Sequence, residues 1–419
     1  MTRAHLLILA AFLLPPCSLP AAAQSFQPKT IQFKGDSEHT DAELLAAAGL
    51  KKGAVLTSED MNAHTKLLMD TGLFDAINYN FNGQDLILQI TPSTALQTVR
   101  LENFPFPAGK ELNERLHAKL PLFHGKVPEE GTMLSAVKRA LEEELAAKGI
   151  SSATVISTPT DTGSVMNFAI TLPLIRVGEI QLEGADDDAS GKARLTAAQS
   201  TGSAYSIQGT PSQLERALDN YYQEQGYLQA TTHAEALPNP VVTADQVQVP
   251  FKVKIDHGQQ FKLLRLELSP GLLVTQAAFD KQSGLHLGDI VLPDKLRAEW
   301  LYIQRQYHNQ GYMRAHVIPT ATYDPGKATV SYLVTAESGA IYTMGDLNVS
   351  TANAEIKNAV LSAWKMPKGA VFNEGAVTSI TAVPSLSKLF AVANLNYSLR
   401  LHDDTHTVDL TLQFMRKTE

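Results

Sequence analysis

The chain has 419 residues, of which 44% are hydrophobic and 19% are charged. This hydrophobic fraction is sufficient for packed cores and excludes a wholly disordered chain. Acidic residues outnumber basic ones by 43 to 35, which gives a net charge of −8. Because nucleic-acid-binding proteins usually carry a basic excess, the composition argues against a nucleic-acid partner. The length predicts about two to four domains, unless shorter units repeat.

Residues 1–23 have the pattern of an export signal. Arg3 precedes the apolar run 6–14, and three alanines, 21–23, provide the small residues of a cleavage site. This run is too short to span a bilayer, which takes about 20 residues, and we expect no transmembrane helix later in the chain. Cys17, the only cysteine, lies inside the signal. We therefore expect an exported protein without disulfides, with a lipid anchor on Cys17 as the less favoured alternative.

A short unit recurs along the sequence. Its clearest mark is a helix-like tail closed by a glycine, at Gly72, Gly149, Gly226 and Gly311, with spacings of 77, 77 and 85 residues. Glycine suits the left-handed residue that commonly ends a helix. Alternating apolar residues predict a strand at the start and at the end of each repeat. The first strands are predicted at 31–35, 99–102, 180–184, 264–268 and 347–350, and the last at 86–90, 165–172, 247–255, 329–334 and 408–414.

Between the first strand and the glycine, the apolar spacing becomes helical. Thr40 with Glu43, and Thr57 with Asp60, have capping-box spacing, and Pro211 suits the first position of a later helix. Residues at helical spacing predict the buried helix faces. These residues are Met61, His64 and Leu68; Met133, Val137, Leu141 and Leu145; Leu214, Leu218, Tyr221 and Tyr222; and Leu296, Trp300, Ile303 and Tyr307.

Each repeat is therefore predicted to read strand, helix, helix, strand, strand over about 80 residues. This order gives an α+β fold, with a three-stranded mixed sheet packed on two helices in each of five repeats. The fifth repeat is the most degenerate, because Ala391 stands where the closing glycine is due. Glycine-containing joints at 178–180, 258–261 and 339–342 precede three of the first strands. The predicted bounds are 28–92, 96–174, 175–256, 258–337 and 339–416.

The repeat resembles the POTRA domain, the polypeptide-transport-associated module. The resemblance is carried by the strand and helix order, the closing turns Gln225-Gly226-Tyr227 and Gln310-Gly311-Tyr312, and the joints that end in Phe261 and Tyr342. Five such modules after an export signal are similar to the periplasmic part of BamA-type outer-membrane assembly factors. The resemblance implies a non-enzymatic periplasmic protein that works at the outer membrane in protein assembly or transport.

One departure from that family changes the expected role. Its members normally continue into a membrane β-barrel, whereas only five residues follow Phe414 here. We therefore expect the protein to dock to a separate outer-membrane barrel protein or to accessory lipoproteins, and not to insert proteins into the membrane itself. The alternative role is a structural spacer or envelope-interaction protein that binds no client.

The second strand of each repeat is the predicted binding element. If the first strand lies beside the third, the second is left at the sheet edge, where its unpaired backbone groups can bind an extended segment of an unfolded outer-membrane protein. The candidate edges are 76–81, 153–156, 230–234, 315–318 and 395–399. The candidate binding residues are Ile77, Tyr79, Phe81, Thr231, His233, His316, Ile318, Asn396 and Ser398.

Two clusters suggest metal chemistry but favour ordinary turns. The acidic run from Asp186 resembles the start of a calcium loop, yet Ala197 stands where that loop requires a bidentate glutamate. The turn from His402 to His406 offers two imidazoles and two carboxylates, and a metal-dependent enzyme using it is the remote alternative. We expect no catalytic residues, no metal ligands and no cofactor.

Overall fold

The computed structural model describes residues 25–107, 109–184, 187–243, 245–351 and 353–416. The export signal with Cys17, and Asp186 of the acidic run, lie outside the described residues. Within them, the strands form five small sheets with flanking helices. This α+β architecture confirms the predicted fold class. The chain separates into two compact units, one reaching to Ile180 and including Thr201–Pro211 and Glu235–Phe251, the other comprising Gln181–Ser200, Ser212–Ala234 and Lys252–Glu419.

The first sheet has the strand order β1-β3-β2, with β1 parallel and β2 antiparallel to β3. Leu86 and Leu88 of the central strand are fully buried, as are Met61 and Leu68 of the second helix. Both predicted capping boxes are present, so the threonines and acids at the helix starts bond each other's backbone amides. The elements are β1 (Thr30–Lys34), α1 (Asp41–Ala48), α2 (Ser58–Met69), β2 (Phe74–Phe81) and β3 (Asp85–Pro92).

The second sheet has the order β5-β4-β7-β6. The short strand β5 adds a fourth strand to the three that were predicted, and it covers the outer edge of β4. The predicted helical face from Met133 to Leu145 is buried. The elements are β4 (Gln97–Leu101), α3 (Lys110–Lys119), β5 (Lys126–Val127), α4 (Thr132–Ala147), β6 (Thr154–Pro159) and β7 (Val165–Leu172).

The third sheet has the order β10-β11-β8, and β9 also pairs with β11. Two local predictions are wrong here. Gly178 lies inside β8 and not in a joint, because the strand begins at Leu174. Pro211 is not the first helical residue, because the Ser206 hydroxyl accepts the Gly209 N–H (3.1 Å) and starts the helix earlier. The elements are β8 (Leu174–Glu183), α5 (Asp187–Ala198), α6 (Gly209–Glu224), β9 (Thr231–Ala236), β10 (Val241–Val242) and β11 (Gln246–Asp256).

The fourth sheet has the order β12-β14-β13. Ile303 and Tyr307 of its second helix are buried, and Trp300 packs beside them against Tyr332. The tryptophan therefore packs against the core, on the face that its helical spacing predicted. The elements are β12 (Lys262–Leu268), α7 (Gln276–Gln282), α8 (Pro293–His308), β13 (His316–Asp324) and β14 (Thr329–Glu337).

The fifth sheet has the order β15-β17-β16, and its second helical region is broken into short pieces. Pro384 lacks the N–H that a continuous helix would use, and two 3₁₀ turns occupy 380–382 and 384–386. Ala391 lies inside the last piece, which runs directly into β16 without a left-handed closing residue. The elements are β15 (Thr343–Ser350), α9 (Ala354–Ala363), α10 (Glu374–Ser379), α11 (Ser387–Val392), β16 (Ala393–His402) and β17 (Thr407–Arg416).

No single helix in the described part of the chain could span a membrane. None of these helices has, by itself, the length and apolar composition needed to cross a bilayer. The helical stretches Glu374–Ala382 and Pro384–Val392 reach that composition only when taken together, and they are bent by 64° relative to each other.

The glycine that closes α2 also forms a contact with the next repeat. Gly72 has the left-handed φ of +76°, and a Cβ on it would overlap the Glu130 carbonyl oxygen. Beside it, the Thr132 N–H at the start of α4 donates to the Asp70 carbonyl at the end of α2 (2.8 Å). The unpaired carbonyls of one helix thus satisfy the unpaired amides of the next.

Two later glycines have the same double role. The Gly226 carbonyl accepts the Phe261 N–H (3.1 Å), and the Gly311 carbonyl accepts the Tyr342 N–H (2.8 Å). Both aromatic side chains are buried. The backbone bond holds each joint together, and the buried position of its last side chain suits a large aromatic residue. We refer to these contacts, at Gly72, Gly226 and Gly311, as the glycine joints.

Gly72→Ala is expected to destabilise the protein more than Gly149→Ala. Both residues have a left-handed φ, so each alanine costs about 1 kcal/mol in backbone strain. Only Gly72 also faces the neighbouring carbonyl, whereas a Cβ on Gly149 meets nothing within 4 Å. Urea unfolding of both variants measures the difference. Equal losses of unfolding free energy would show that the glycine joint needs no close approach.

Candidate functional site

The second strand of each repeat lies at a sheet edge, as the predicted topology requires. In the first, second, fourth and fifth sheets the strand order ends on β2, β6, β13 and β16, and in the third β9 pairs with β11. The predicted binding residues lie on four of these strands. Ile77, Tyr79 and Phe81 are on β2, Thr231 and His233 on β9, His316 and Ile318 on β13, and Asn396 and Ser398 on β16.

The opposite edge is covered in four of the sheets. The segment before the second helix folds back along the first strand and bonds its backbone. In the third sheet the Val177 N–H donates to the Ser203 carbonyl (2.9 Å), in the fourth the Leu263 N–H to Asp289 (2.8 Å), and in the fifth the Met344 N–H to Ala370 (2.7 Å). In the second sheet β5 has this position. In these four sheets the second strand is therefore the edge at which another chain can be added.

The backbone of β2 presents three residues to this edge. The Asn82 N–H donates to the Asp85 carbonyl (3.2 Å) at the hairpin turn. Because bonded and non-bonded pairs alternate in an antiparallel ladder, the N–H and C=O groups of Phe81, Tyr79 and Ile77 point away from β3. All three predicted residues of β2 thus have outward backbone groups. Their side chains are half-buried toward the helices.

On β16, the residues whose backbone groups face outward alternate with the predicted residues Asn396 and Ser398. The Thr343 N–H donates to the His406 carbonyl (2.9 Å), so the even-numbered residues of β17 face β15. The odd-numbered residues face β16, where Thr411 pairs with Ser398 and Gln413 with Asn396. The outward backbone groups therefore belong to Leu395, Tyr397, Leu399 and Leu401. The side chains of Asn396 and Ser398 lie beside them.

Prolines and glutamates remove outward N–H groups from the other three edges, which we call blocked. On β6, the Glu142 carboxylate accepts the outward Val155 N–H (3.2 Å), and Pro159 has no N–H. On β9, the Glu215 carboxylate accepts the Ala234 N–H (2.9 Å). On β13, Pro319 occupies an outward position, since the even-numbered residues of β14 face β12. Proline and charge at an edge strand prevent uncontrolled pairing.

β2 and β16 carry no such block. Neither strand contains a proline, and within the described part of the chain no side chain bonds their outward N–H groups. β2 is eight residues long and β16 is ten. We call these two strands the bare edges.

A half-buried carboxylate, that of Glu374, anchors the bare edge β16 to the fourth repeat. The Glu374 carboxylate lies 2.6 Å from Nδ1 of His308 and accepts the Tyr397 hydroxyl (2.9 Å). The hydrogen bond from His308 holds the pKa of Glu374 below its ordinary value. Burial, with the bond to Glu374, raises the pKa of Tyr397 to about 12. Glu374 thus links the end of α8 to the middle of β16.

The His402–His406 turn holds structural contacts. His402 bonds Asp409 (2.9 Å), and Asp403 forms a bidentate pair with Arg314 (2.8 and 3.1 Å) while also accepting the Tyr342 hydroxyl. The Arg314 hydrogen bond lowers the pKa of Asp403. These side chains are directed to separate partners, and they tie the β16–β17 hairpin to the glycine joint at Gly311.

A second group of ligand-type side chains has no local signal in the sequence. Glu43, His117 and His124 each place one donor atom within 4.8 Å of the others. The two histidines are 74 and 81 residues away from Glu43 in sequence, and no local motif joins the three. Only the packing of α1 against the end of α3 brings them together.

Comparison with known proteins identifies the first repeat. The family model described as POTRA, surface antigen variable number repeat, matches residues 29–93. The first repeat is therefore similar to the POTRA family over these residues. The match confirms the predicted resemblance. None of the curated proteins matches the chain.

Several solved BamA and Omp85 structures are similar to parts of this chain. Haemophilus influenzae BamA POTRA3-5 is 15% identical, with a TM-score of 0.43, covering 58% of this chain and 97% of that one. The N-terminal domain of Omp85 from Thermosynechococcus elongatus is 16% identical, with a TM-score of 0.24, covering 59% and 99%. POTRA1-3 of the periplasmic domain of Omp85 from Anabaena is 16% identical, with a TM-score of 0.24, covering 58% and 96%.

Glu374→Gln is expected to reduce the loss of stability in acid. Because the folded-state pKa of Glu374 is below the ordinary 4.5, its stabilising contribution is complete above pH 4.5 and disappears as the pH falls through the folded value. Glutamine keeps the shape but does not titrate. Urea unfolding between pH 6 and pH 3, followed by fluorescence of Trp300 and Trp364, should show a shallower decline in the variant. Identical declines would contradict this role.

Proposed function

We propose that the protein is a non-enzymatic periplasmic scaffold in outer-membrane protein assembly or transport. In this proposal it comprises five POTRA-like modules, at 28–92, 96–174, 175–256, 258–337 and 339–416. The POTRA match at residues 29–93 supports this class, and so does the return of the same element order in the later repeats. A periplasmic position close to the outer membrane follows from this class.

The observation that carries the proposal is the contrast between blocked and bare edges. Pro159, Pro319 and the carboxylates of Glu142 and Glu215 remove outward donors from three edge strands. If selection acted only against pairing between chains, we would expect every edge strand to carry such a residue. β2 and β16 remain free to pair, which favours strand addition at these two sites.

The bare edges define the chemistry of the client. Strand addition forms backbone hydrogen bonds and therefore tolerates many sequences, while alternate side chains contribute modest selectivity. Several side chains on the outer face of β2 and β16, including Asn78, Asn80, Asn396 and Ser398, are neutral and polar. The fitting client is an extended segment of alternating polar and apolar residues, as in the strands of an unfolded outer-membrane protein.

The proposed partners also include a separate outer-membrane barrel protein and accessory lipoproteins. The exposed helix faces of the repeats are available for such docking. A structural spacer without client binding is the alternative function. The two differ in a single measurable property, which is affinity of the isolated chain for an extended peptide.

Tyr79→Pro is expected to weaken peptide binding at β2. The substitution removes one outward N–H and no bond of the β2–β3 ladder, because Tyr79 faces away from β3. Fluorescence anisotropy with a labelled ten-residue peptide of alternating valine and threonine measures the affinity. Circular dichroism checks that the variant is folded. Absence of binding to the unaltered protein would favour the spacer function.

Pro319→Val provides the converse test at a blocked edge. Valine restores an outward N–H on β13, so the number of peptide sites per chain should rise. Thr320→Val is the matched control, because residue 320 faces β14 and its substitution changes no outward donor. An unchanged stoichiometry in Pro319→Val would show that the proline does not decide which edges bind.

A further inference from the structure

Three ligand-type side chains converge where the first repeat packs against the second. Glu43 lies in the first turn of α1, His117 in the last turn of α3, and His124 in the loop before β5. Oε1 of Glu43 is 3.3 Å from Nε2 of His117, and Oε2 of Glu43 is 4.0 Å from Nε2 of His124. We call this group the Glu43 cluster.

The shorter of these two distances matches the geometry of a metal centre. Zinc bonds histidine nitrogen and carboxylate oxygen at about 2.0–2.1 Å, so two ligands of a tetrahedral ion lie about 3.3 Å apart. The separation between Glu43 and His117 has this value. The His124 donor atom lies within 4.8 Å of the other two ligand atoms, so the ring must move closer to complete the set.

The surroundings fix the orientation of two ligands. Nδ1 of His117 lies 3.2 Å from the Phe123 carbonyl, so it carries the proton and leaves the Nε2 lone pair directed at Glu43. The Thr40 amide and hydroxyl both donate to Oε2 of Glu43 (2.7 and 2.9 Å), which leaves Oε1 available. A carbonyl behind a ligand histidine is the usual arrangement in metal sites.

His124 is held from the other side by a third histidine. The ring of His39 meets it edge to face, with centroids 4.8 Å apart. His39 is itself fixed by Asp36 (2.6 Å) and by the Leu122 carbonyl (3.0 Å), so both of its nitrogens are occupied. It therefore positions His124 and is not a ligand.

The cluster is open to solvent on one side. Both ligand histidines line a depression of about 560 Å³, and the other lining residues are Gly109, Lys110, Asn113, Glu114, Phe123 and Gly125. An ion can enter by this route, and a water molecule can take the fourth position that three protein ligands leave.

We propose that Glu43, His117 and His124 form a binding site for a divalent transition-metal ion of the zinc type. Two imidazoles and one carboxylate are a borderline N/O ligand set, which prefers zinc to calcium or magnesium. The ion would connect α1 to α3 and so stabilise the packing of the first two repeats. This proposal is independent of strand addition.

The test uses the full exported chain, without a histidine tag, after removal of metals with a chelator. Titration with ZnCl₂ against a chromophoric competitor should give one site per chain. Glu43→Gln and His117→Ala should each weaken binding about tenfold or more. Glutamine is also accepted in a capping box, so Glu43→Gln keeps the start of α1. His286→Ala, at an exposed position in the loop after α7, is the control and should bind as the unaltered protein does.

Two further measurements distinguish this site from scattered zinc binding at surface histidines. Zinc should raise the melting temperature of the unaltered chain and of His286→Ala but not of His117→Ala. Cobalt(II) should give visible absorption bands of a four-coordinate site, whereas MgCl₂ should have no effect. Failure of zinc to bind, or binding unchanged in both cluster variants, would overturn the proposal. If Glu43→Gln alone lowers the metal-free melting temperature, His117→Ala, which is outside the capping box, decides the outcome.

Discussion

The contact on which the arrangement of repeats depends is the close approach of backbone to backbone at the glycine joints. A helix ends with carbonyl groups that have no partner within the helix. At Gly72 the next helix supplies its own unpaired amides to those carbonyls. At Gly226 and Gly311 the glycine carbonyl accepts the amide of a buried aromatic residue. Each joint thus satisfies polar groups that would otherwise require water.

The joints and the edges depend on two residue types with opposite effects on the backbone. Glycine is used where two backbones must approach, and proline where a strand must not be extended. Pro159 and Pro319 lie on the outward register of β6 and β13, the one place in a sheet where the missing N–H costs no ladder bond. The position of a proline relative to the neighbouring strand therefore indicates whether an edge is closed or available.

The sequence predicted the elements well because their signals are local. Helical spacing from Met133 to Leu145, the capping boxes at Thr40 and Thr57, and the glycines after the helices each involve residues within a few turns. The predicted start of α6 was wrong because Ser206, upstream of the expected start, caps the helix. Which residues of β16 face outward depends on the register with β17, and the Glu43 cluster depends on packing between repeats. Neither leaves a local signal.

The joint at Gly72 has a consequence for taking the chain apart. A fragment that ends at Pro92 would retain the first sheet and both of its helices, but it would lose the Thr132 and Met133 amides that cover the Asp70 and Thr71 carbonyls. The last turn of α2 would then rely on solvent, and its glycine would no longer face Glu130. The first repeat is therefore incomplete when it is excised at Pro92, because its natural boundary includes the first turn of α4 in the next repeat.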